Sequence, residues 1–332
     1  MDFLKAQFTK IPRIAPRNLT NNTVLITGAT GGLGFETARQ ILESKLKRVI
    51  LAIRDLEKGK AVLRELEKEK FASTNIEIRS LDQATFSSVQ GFVRDLKEEP
   101  IHIAILNAGS NMEHKFCLYQ RRIRDKFASQ RPRARSALAP PTTQSPPIQI
   151  VIHPFSRRAI TSPHLTFVAS GLHEMAKFPE KSLPQGEILA ALNDSKRYVQ
   201  QDRYPTTKVI SMLWMKELAR RIQGEQIVIN QPNPGFCKTD LMRHAKGMTG
   251  FMVKVFTALV ARSAQDGARC ILDSAVIKGS ESHGCYVSET VVKPASKVVR
   301  DAELSELQGN IFEEITTILK AFDSSIRVPN AI

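Results

Sequence analysis

The chain is 332 residues long, 42% apolar and 24% charged, a balance that excludes a disordered chain and leaves room for a large buried core. No stretch approaches the roughly 20 uninterrupted apolar residues of a membrane span, and four scattered cysteines (Cys117, Cys237, Cys270 and Cys285) exclude a disulfide scaffold and offer no metal-ligand spacing. The net charge of +15 (48 basic against 33 acidic residues) is uneven: residues 119–162 alone carry eight Arg and one Lys against one Asp, so the rest of the chain is only mildly basic; no nucleic-acid partner is expected, and nucleic-acid binding through that basic segment is a minor alternative.

Residues 1–22 read as a polar, proline-containing lead-in without an apolar run of the signal-peptide kind. Thr23 to Thr27 (TVLIT) has the pattern of a short buried strand and runs into a glycine-rich turn. Gly34 to Ser44 reads as a helix, Arg48 to Ile53 as a second strand, and Leu56 to Lys70 as a charged amphipathic helix with Glu/Lys pairs at helical spacing. Ile76 to Leu81 and Ile101 to Leu106 continue as strands, with a helix at Phe86 to Glu98 between them. Strands alternating with helices of this length predict βαβ units and a parallel sheet.

The alternation stops at 119–162, which holds six prolines and the stretch RRIRDKFASQRPRAR, with no helical apolar period; an irregular segment is expected. It resumes with a strand at His164 to Ala169, a long helix at Tyr204 to Ile222, a strand at Gln226 to Asn230 and a helix at Asp266 to Val276. A short strand at Cys285 to Ser288 and an amphipathic helix at Leu307 to Phe322 close the pattern, leaving a tail at 323–332. These runs predict an α/β chain with a parallel sheet.

Residues 27–34 read TGATGGLG, with Gly28, Gly32, Leu33 and Gly34 between a strand and a helix. Such a turn lets a phosphate approach the backbone, and the helix end that follows offers free N–H groups. With a strand before and a helix after, the turn predicts a dinucleotide site. The second strand ends in Arg54 and Asp55, where a carboxylate would bind a ribose 2′-hydroxyl and a guanidinium a 2′-phosphate. Arg54 comes first, which favours NADP(H) over NAD(H), although Asp55 leaves NAD open. Asp82 ends the third strand, placed to accept from an adenine amino group, and Asn107-Ala108-Gly109 ends the fourth, placed to support the cofactor.

Tyr204 and Lys208 are four apart at a helix start and share a face. A tyrosine hydroxyl can pass a proton to a carbonyl oxygen, but its ordinary pKa of about 10 makes this costly at neutral pH. A lysine ammonium beside it favours the phenolate. Ser170 ends a strand and could hold the substrate oxygen, and Pro234-Gly235 with Thr239 behind it fits a loop closing over a nicotinamide. His173 and His283 read as satisfied loop histidines, Cys237 as a small apolar residue, and Trp214 and Met215 as core. Residues 171–203 are either a lid over the substrate or a plain surface loop, and 240–262 a second substrate-side loop. Within it, Gly250 to Ala261 reads as an apolar lid in preference to a membrane-surface contact.

Together TGATGGLG (27–34), Asp82, NAG (107–109), Ser170, YPTTK (204–208) and PGFCKT (234–239) resemble the short-chain dehydrogenase/reductase family, in its order and over most of residues 23–288. The resemblance implies a single α/β domain over 23–322, a doubly wound Rossmann-type sheet of about seven parallel strands, and hydride transfer between a nicotinamide and a carbonyl or alcohol carbon. Tyr204 would be the acid/base, Lys208 would stabilise the phenolate and bind the nicotinamide ribose, and Ser170 would orient the substrate. Gly28, Gly32, Leu33, Gly34, Arg54, Asp82, Asn107, Gly235 and Thr239 would hold the cofactor. The arginine after the second strand is similar to NADP-preferring members that act on lipophilic ketones, such as retinol-dehydrogenase-like proteins. LTFVASGLHE and RYPTTK are similar to fungal reductases of secondary-metabolite pathways. The expected partner is a lipophilic small molecule, in the cytoplasm.

The family places a long helix between NAG and the serine strand, carrying an asparagine of a catalytic tetrad and often packing in a dimer interface. Here no asparagine occurs between Asn111 and Asn193 and the Arg/Pro-rich stretch stands in its place, as from a frameshift or translated non-coding sequence. A homodimer is therefore in doubt, strands four and five are expected to be partly uncovered, and a catalytically impaired or non-folding product is the alternative reading.

Overall fold

Along the first strand, Val24, Leu25 and Ile26 are all fully buried, which requires cover on both faces of the sheet. The computed structural model describes residues 2–69, 74–96, 100–108, 163–224, 226–238, 257–324, 326 and 328–329; the predicted irregular segment 119–162 lies outside them. Eight strands form one sheet: β1 (Asn18–Thr27), β2 (Lys45–Ile53), β3 (Asn75–Ser80), β4 (Ile103–Leu106), β5 (His164–Phe167), β6 (Val228–Asn233), β7 (Tyr286–Ser288) and β8 (Val291–Lys293). Their order is 3-2-1-4-5-6-7-8. Strands β1 to β7 pair in parallel and β8 runs antiparallel to β7. This is the expected doubly wound Rossmann-type architecture with one more strand than predicted. The β7–β8 turn is Glu289-Thr290, both at positive φ (49° and 62°), the conformation of a tight hairpin without the Asn-Gly that usually signals one.

The helices are α1 (Asp2–Phe8), α2 (Gly32–Ile41), α3 (Leu56–Lys68), α4 (Phe86–Leu96), α5 (Ile188–Leu192), α6 (Gln200–Arg220), α7 (Ala264–Leu272), α8 (Lys297–Glu303) and α9 (Leu307–Phe322). Successive residues of β1 face opposite layers. Leu25, with Ala104, Leu106, Leu165 and Phe167, packs against Val89, Phe92 and Leu96 of α4, Val209 and Leu213 of α6, and Phe312 of α9. Val24 and Ile26, with Ile103 and Ile105, pack against Ala38 and Ile41 of α2 and Ile271 of α7. Every residue of β4 and β5 is buried. The expected exposure of strands four and five is thus not found: α4 and α6 cover one face, and α7 with the turn after it the other. Trp214 and Met215 are core, as predicted, with Trp214 stacked on Phe312 at 5.5 Å between centroids.

Three boundaries differ from expectation for identifiable reasons. The lead-in is not featureless: it begins with α1, buries Ile11 at 3% exposure, and gives way to β1 at Asn18, with a register shift between Leu19 and Thr23. Helix α6 starts four residues before Tyr204, its polar first turn held by Asp202, whose carboxylate accepts from Lys177 N, Phe178 N and Thr206 Oγ1. Strand β6 runs on through Asn233, past the predicted end at Asn230, because its far half pairs with β7. Residues 171–203 fold as short helical turns with Phe178 and Ile188 fully buried, anchored by Glu314 of α9, which accepts from the amides of Gly186, Ile188 and Leu189.

Candidate active site

The strand order reverses between β1 and β4, and ligands of such sheets bind at the carboxyl ends beside that switch. Asn107 bridges the switch: its Nδ2 donates to Thr27 O at 3.1 Å and to Gly28 O at 3.4 Å, and Ala108 N donates to Thr27 Oγ1 at 3.0 Å. The glycines answer to this crowding. Gly28 has φ +71°, and a Cβ there would lie 2.8 Å from Ala108 Cα; one at Gly34 would lie 2.4 Å from Gly28 O. Gly31 precedes α2 with no side-chain cap and no acidic residue in the first turn, and a Cβ there would meet nothing within 4 Å. The open helix end and its unclaimed N–H groups fit a pyrophosphate. Leu33 contributes to that first turn through its backbone, while its side chain packs toward Gly267 on α7.

At the end of β2, Arg54 is exposed and makes no ion pair among the described residues. Asp55 is already used: its Oδ1 accepts from Glu57 N at 3.1 Å and Lys58 N at 3.2 Å, capping α3. Asp82 has a similar local role, its Oδ1 accepting from Ala84 N at 3.1 Å.

The second half of the site forms where α6 crosses β5. Lys208 is buried at 8% exposure and donates from Nζ to Val168 O at 3.1 Å. The same ammonium lies 5.6 Å from the centroid of the half-buried Tyr204 ring. Two residues after Val168, Ser170 Oγ accepts from Leu172 N at 3.2 Å, which leaves its hydroxyl proton to donate. The turn that Ser170 starts, 171–175, packs on α6.

His173 behaves as a structural residue, as expected. Its Nε2 accepts from Ser296 N at 3.0 Å, so Nδ1 carries the proton and donates to Ser170 O at 2.7 Å; burial holds it below its ordinary pKa. His283 accepts from Ile229 N and donates to the carbonyls of Ala219 and Ile222. Burial pushes the Cys237 thiol up to about 12, only partly countered by Arg262, so it is no nucleophile at neutral pH. Among the described residues no His, Cys, Asp and Glu cluster could hold a metal.

Asn233, at the end of β6, is the residue that sequence reasoning overlooked. Its Oδ1 accepts from Gly171 N and from Gly235 N, each at 3.1 Å, and its Nδ2 donates to Ser288 Oγ at 3.1 Å. The Asn-Pro-Gly run signals only a turn. Gly235 itself has φ +79°. Thr239 and Gly109 lie outside the described residues.

The short chain dehydrogenase family model matches residues 22–126. The chain is 30% identical over 309 residues to short-chain dehydrogenase fogG of Aspergillus ruber, covering 90% of this chain and 84% of that one. It is 28% identical over 332 residues to short-chain dehydrogenase anuD of Penicillium roqueforti, covering 96% and 83%. Its fold is similar to NADPH-bound carbonyl reductase from chicken fatty liver, with a TM-score of 0.55, 14% identity and coverage of 84% and 100%. Salutaridine reductase of Papaver somniferum is also similar in fold, with a TM-score of 0.51, 17% identity and coverage of 80% and 99%. With the nucleotide turn, the sheet order and a relative 30% identical along nine-tenths of this chain, the chain belongs to the short-chain dehydrogenases, oxidoreductases that use a nicotinamide cofactor.

Proposed function

We propose that residues 23–322 form a single NADP(H)-dependent oxidoreductase that interconverts a carbonyl and an alcohol on a lipophilic small molecule, in a fungal secondary-metabolite pathway. The observation that carries this reading is the buried Lys208, fixed on Val168 O, with its ammonium 5.6 Å from the Tyr204 ring. In this reading Tyr204 gives its hydroxyl proton to the carbonyl oxygen while Ser170 holds that oxygen by a hydrogen bond. Lys208 favours the phenolate left behind, and its fixed position keeps the charge from swinging into water. A bound nicotinamide supplies the hydride to the carbonyl carbon, or takes it in the reverse direction.

Gly28, Gly32, Leu33 and Gly34 would receive the pyrophosphate at α2, with Asp82 and Asn107 along the adenosine and ribose side and Gly235 and Thr239 over the nicotinamide. The preference for NADP(H) rests on Arg54. Its neighbour Asp55, the residue that could have bound a free 2′-hydroxyl, has Oδ1 engaged in the α3 cap and Oδ2 facing Lys58 Nζ at 3.9 Å. Structures similar in fold include L-sorbose reductase from Gluconobacter frateurii complexed with NADPH, at a TM-score of 0.51. The lipophilic substrate is supported by Leu172 and Met175, just after Ser170, and Val199, just before α6, which are 39%, 69% and 51% exposed. No helix among the described residues is long and apolar enough to cross a membrane, and Cys237, Cys270 and Cys285 are free thiols, in keeping with a cytoplasmic setting.

A fluorescence titration of the purified protein with NADPH, and separately with NADH, tests the reading. Saturable binding tighter for NADPH is the expected result. Failure to bind either cofactor would refute it.

A further inference from the structure

Two segments far from the nucleotide turn converge on the loop that follows β6. Gln7, on α1, is 5% exposed although its helix is at the surface. Its carboxamide holds both backbone polar groups of Phe236, in two successive peptide units: Nε2 donates to Phe236 O at 2.5 Å and Oε1 accepts from Phe236 N at 3.0 Å. Arg262, at 7% exposure, donates through Nη1 to Pro234 O at 3.1 Å and through Nη2 to Ala6 O at 2.7 Å and Gln7 O at 3.4 Å. Among the described residues it forms no ion pair, so carbonyls at the end of α1 and in the loop solvate a buried charge. The backbone completes the junction: Arg262 N donates to Phe236 O at 2.8 Å and Lys238 N to Arg262 O at 2.9 Å, a parallel bridge between Cys237 and Arg262. Gly235 sits inside it. A Cβ there would lie 2.8 Å from Arg262 Nη1 and 3.1 Å from Gln7 Oε1.

We infer that α1 is a brace for the nicotinamide-side loop and that Gln7 is a positioning residue for cofactor binding. The inference rests on the proposed placement of Pro234-Gly235 over the nicotinamide. A seven-residue helix is too short to persist alone in water, so its docking is a separate low-stability equilibrium of the fold. Docked, it holds the amide and carbonyl of Phe236 through Gln7 and solvates Arg262 Nη2; undocked, it strips the Phe236 amide of its acceptor and Arg262 Nη2 of both its carbonyls, leaving the loop on the Arg262 contacts alone. Coupling of this kind is reciprocal: a helix that improves cofactor binding must itself be held more firmly when the cofactor is bound.

Two measurements test the inference. Gln7→Met keeps the buried volume and removes both hydrogen bonds. It is expected to raise the Kd and KM for NADPH about five- to tenfold while kcat at saturating cofactor stays near wild type. The exposed Lys5→Ala on the same helix is expected to change neither. A purely structural Gln7 would lower Tm and the active fraction without moving KM. In the unaltered protein, saturating NADPH is expected to slow hydrogen exchange across residues 2–8. Unchanged exchange there, or an unchanged KM in Gln7→Met, in a wild-type protein that binds NADPH would overturn the brace alone. A wild-type protein that binds neither cofactor would instead overturn the functional reading beneath it.

Discussion

The carboxamide oxygen of Asn233 is hydrogen-bonded to the amide of Gly171 at 3.1 Å, joining the end of β6 to the residue after Ser170. The same oxygen takes the amide of Gly235, and the carboxamide nitrogen is held by Ser288, which donates in turn to Glu289 at 2.7 Å. One buried side chain therefore sets the distance between the proposed substrate-orienting serine and the proposed nicotinamide loop. Asn233→Ala strips two amides of their acceptor, a loss of about 1–3 kcal/mol where the groups stay dry. We expect Tm to fall by several degrees and kcat/KM by about 10- to 100-fold, the larger loss being in activity because both loops shift. Asn233→Asp restores the acceptor but sets a carboxylate on Ser288 beside Glu289, so it should recover little. Wild-type kcat/KM in Asn233→Ala would show that the two loops are positioned independently.

Tyr204 and Lys208 are separable by substitution. Tyr204→Phe removes one hydroxyl from a half-buried ring that makes no hydroxyl hydrogen bond among the described residues, so folding should be unaffected. Loss of the proton donor should lower kcat by about 10²- to 10⁴-fold with NADPH binding retained. Lys208→Met loses the bond to Val168 O as well as the charge, and should weaken both kcat and NADPH binding. Full activity on ketones in Tyr204→Phe would remove Tyr204 from the chemistry.

How much of this was readable in advance depends on how local each signal is. The TGATGGLG turn is self-contained: the crowding of Gly28 against Ala108 and of Gly34 against Gly28 O is met by residue types visible in one short run. The strand–helix alternation is equally local, since each predicted strand rests on one short apolar run, although β1 and β2 begin before theirs. Asn233, Gln7 and Arg262 are different. Their partners lie at sequence separations of 62 for Asn233–Gly171, 229 for Gln7–Phe236 and 28 for Arg262–Pro234, and each residue taken alone is an ordinary polar side chain. β8 was missed because its turn is made by Glu289 and Thr290, both at positive φ, rather than by the glycine or asparagine that usually signals a hairpin. The cover of β4 and β5 was misjudged because the residues that share their cores come from α4, α6 and α7, which are distant in sequence, so no single segment displays it.

Arg54 and Asp55 make opposite predictions despite being adjacent. Arg54→Asp should weaken NADPH binding by about 10- to 100-fold and narrow or reverse the preference over NADH. Asp55→Ala removes the α3 cap, at about 1 kcal/mol of stability, and should leave the cofactor ratio where it was. Parallel titrations of both variants with NADPH and NADH decide the matter. A cofactor ratio that follows Asp55 and ignores Arg54 would contradict the assignment.

His173 links stability near the site to pH. Burial lowers its folded-state pKa below the ordinary 6.5, and burial together with Lys47 does the same to His102. The unfolded chain therefore takes up protons first as pH falls through about 6.5, and the stability held above that pH is progressively lost toward the lower folded values. The Glu217 carboxylate stays outside this window. Burial raises the Glu217 pKa, but hydrogen bonds from Arg220, Gln308 and Arg221 outweigh it and hold the group at about 2, so its contribution is lost only as pH falls below about 4.5. Thermal melts from pH 7.5 to 5.5 should show Tm falling by about 2–5 °C. His173→Gln can accept from Ser296 N and donate to Ser170 O without titrating, so it should flatten that slope in part, leaving the share due to His102. A slope unchanged in His173→Gln would mean that His173 already opens to solvent before the chain unfolds, and that the carbonyl of Ser170 is held by other contacts.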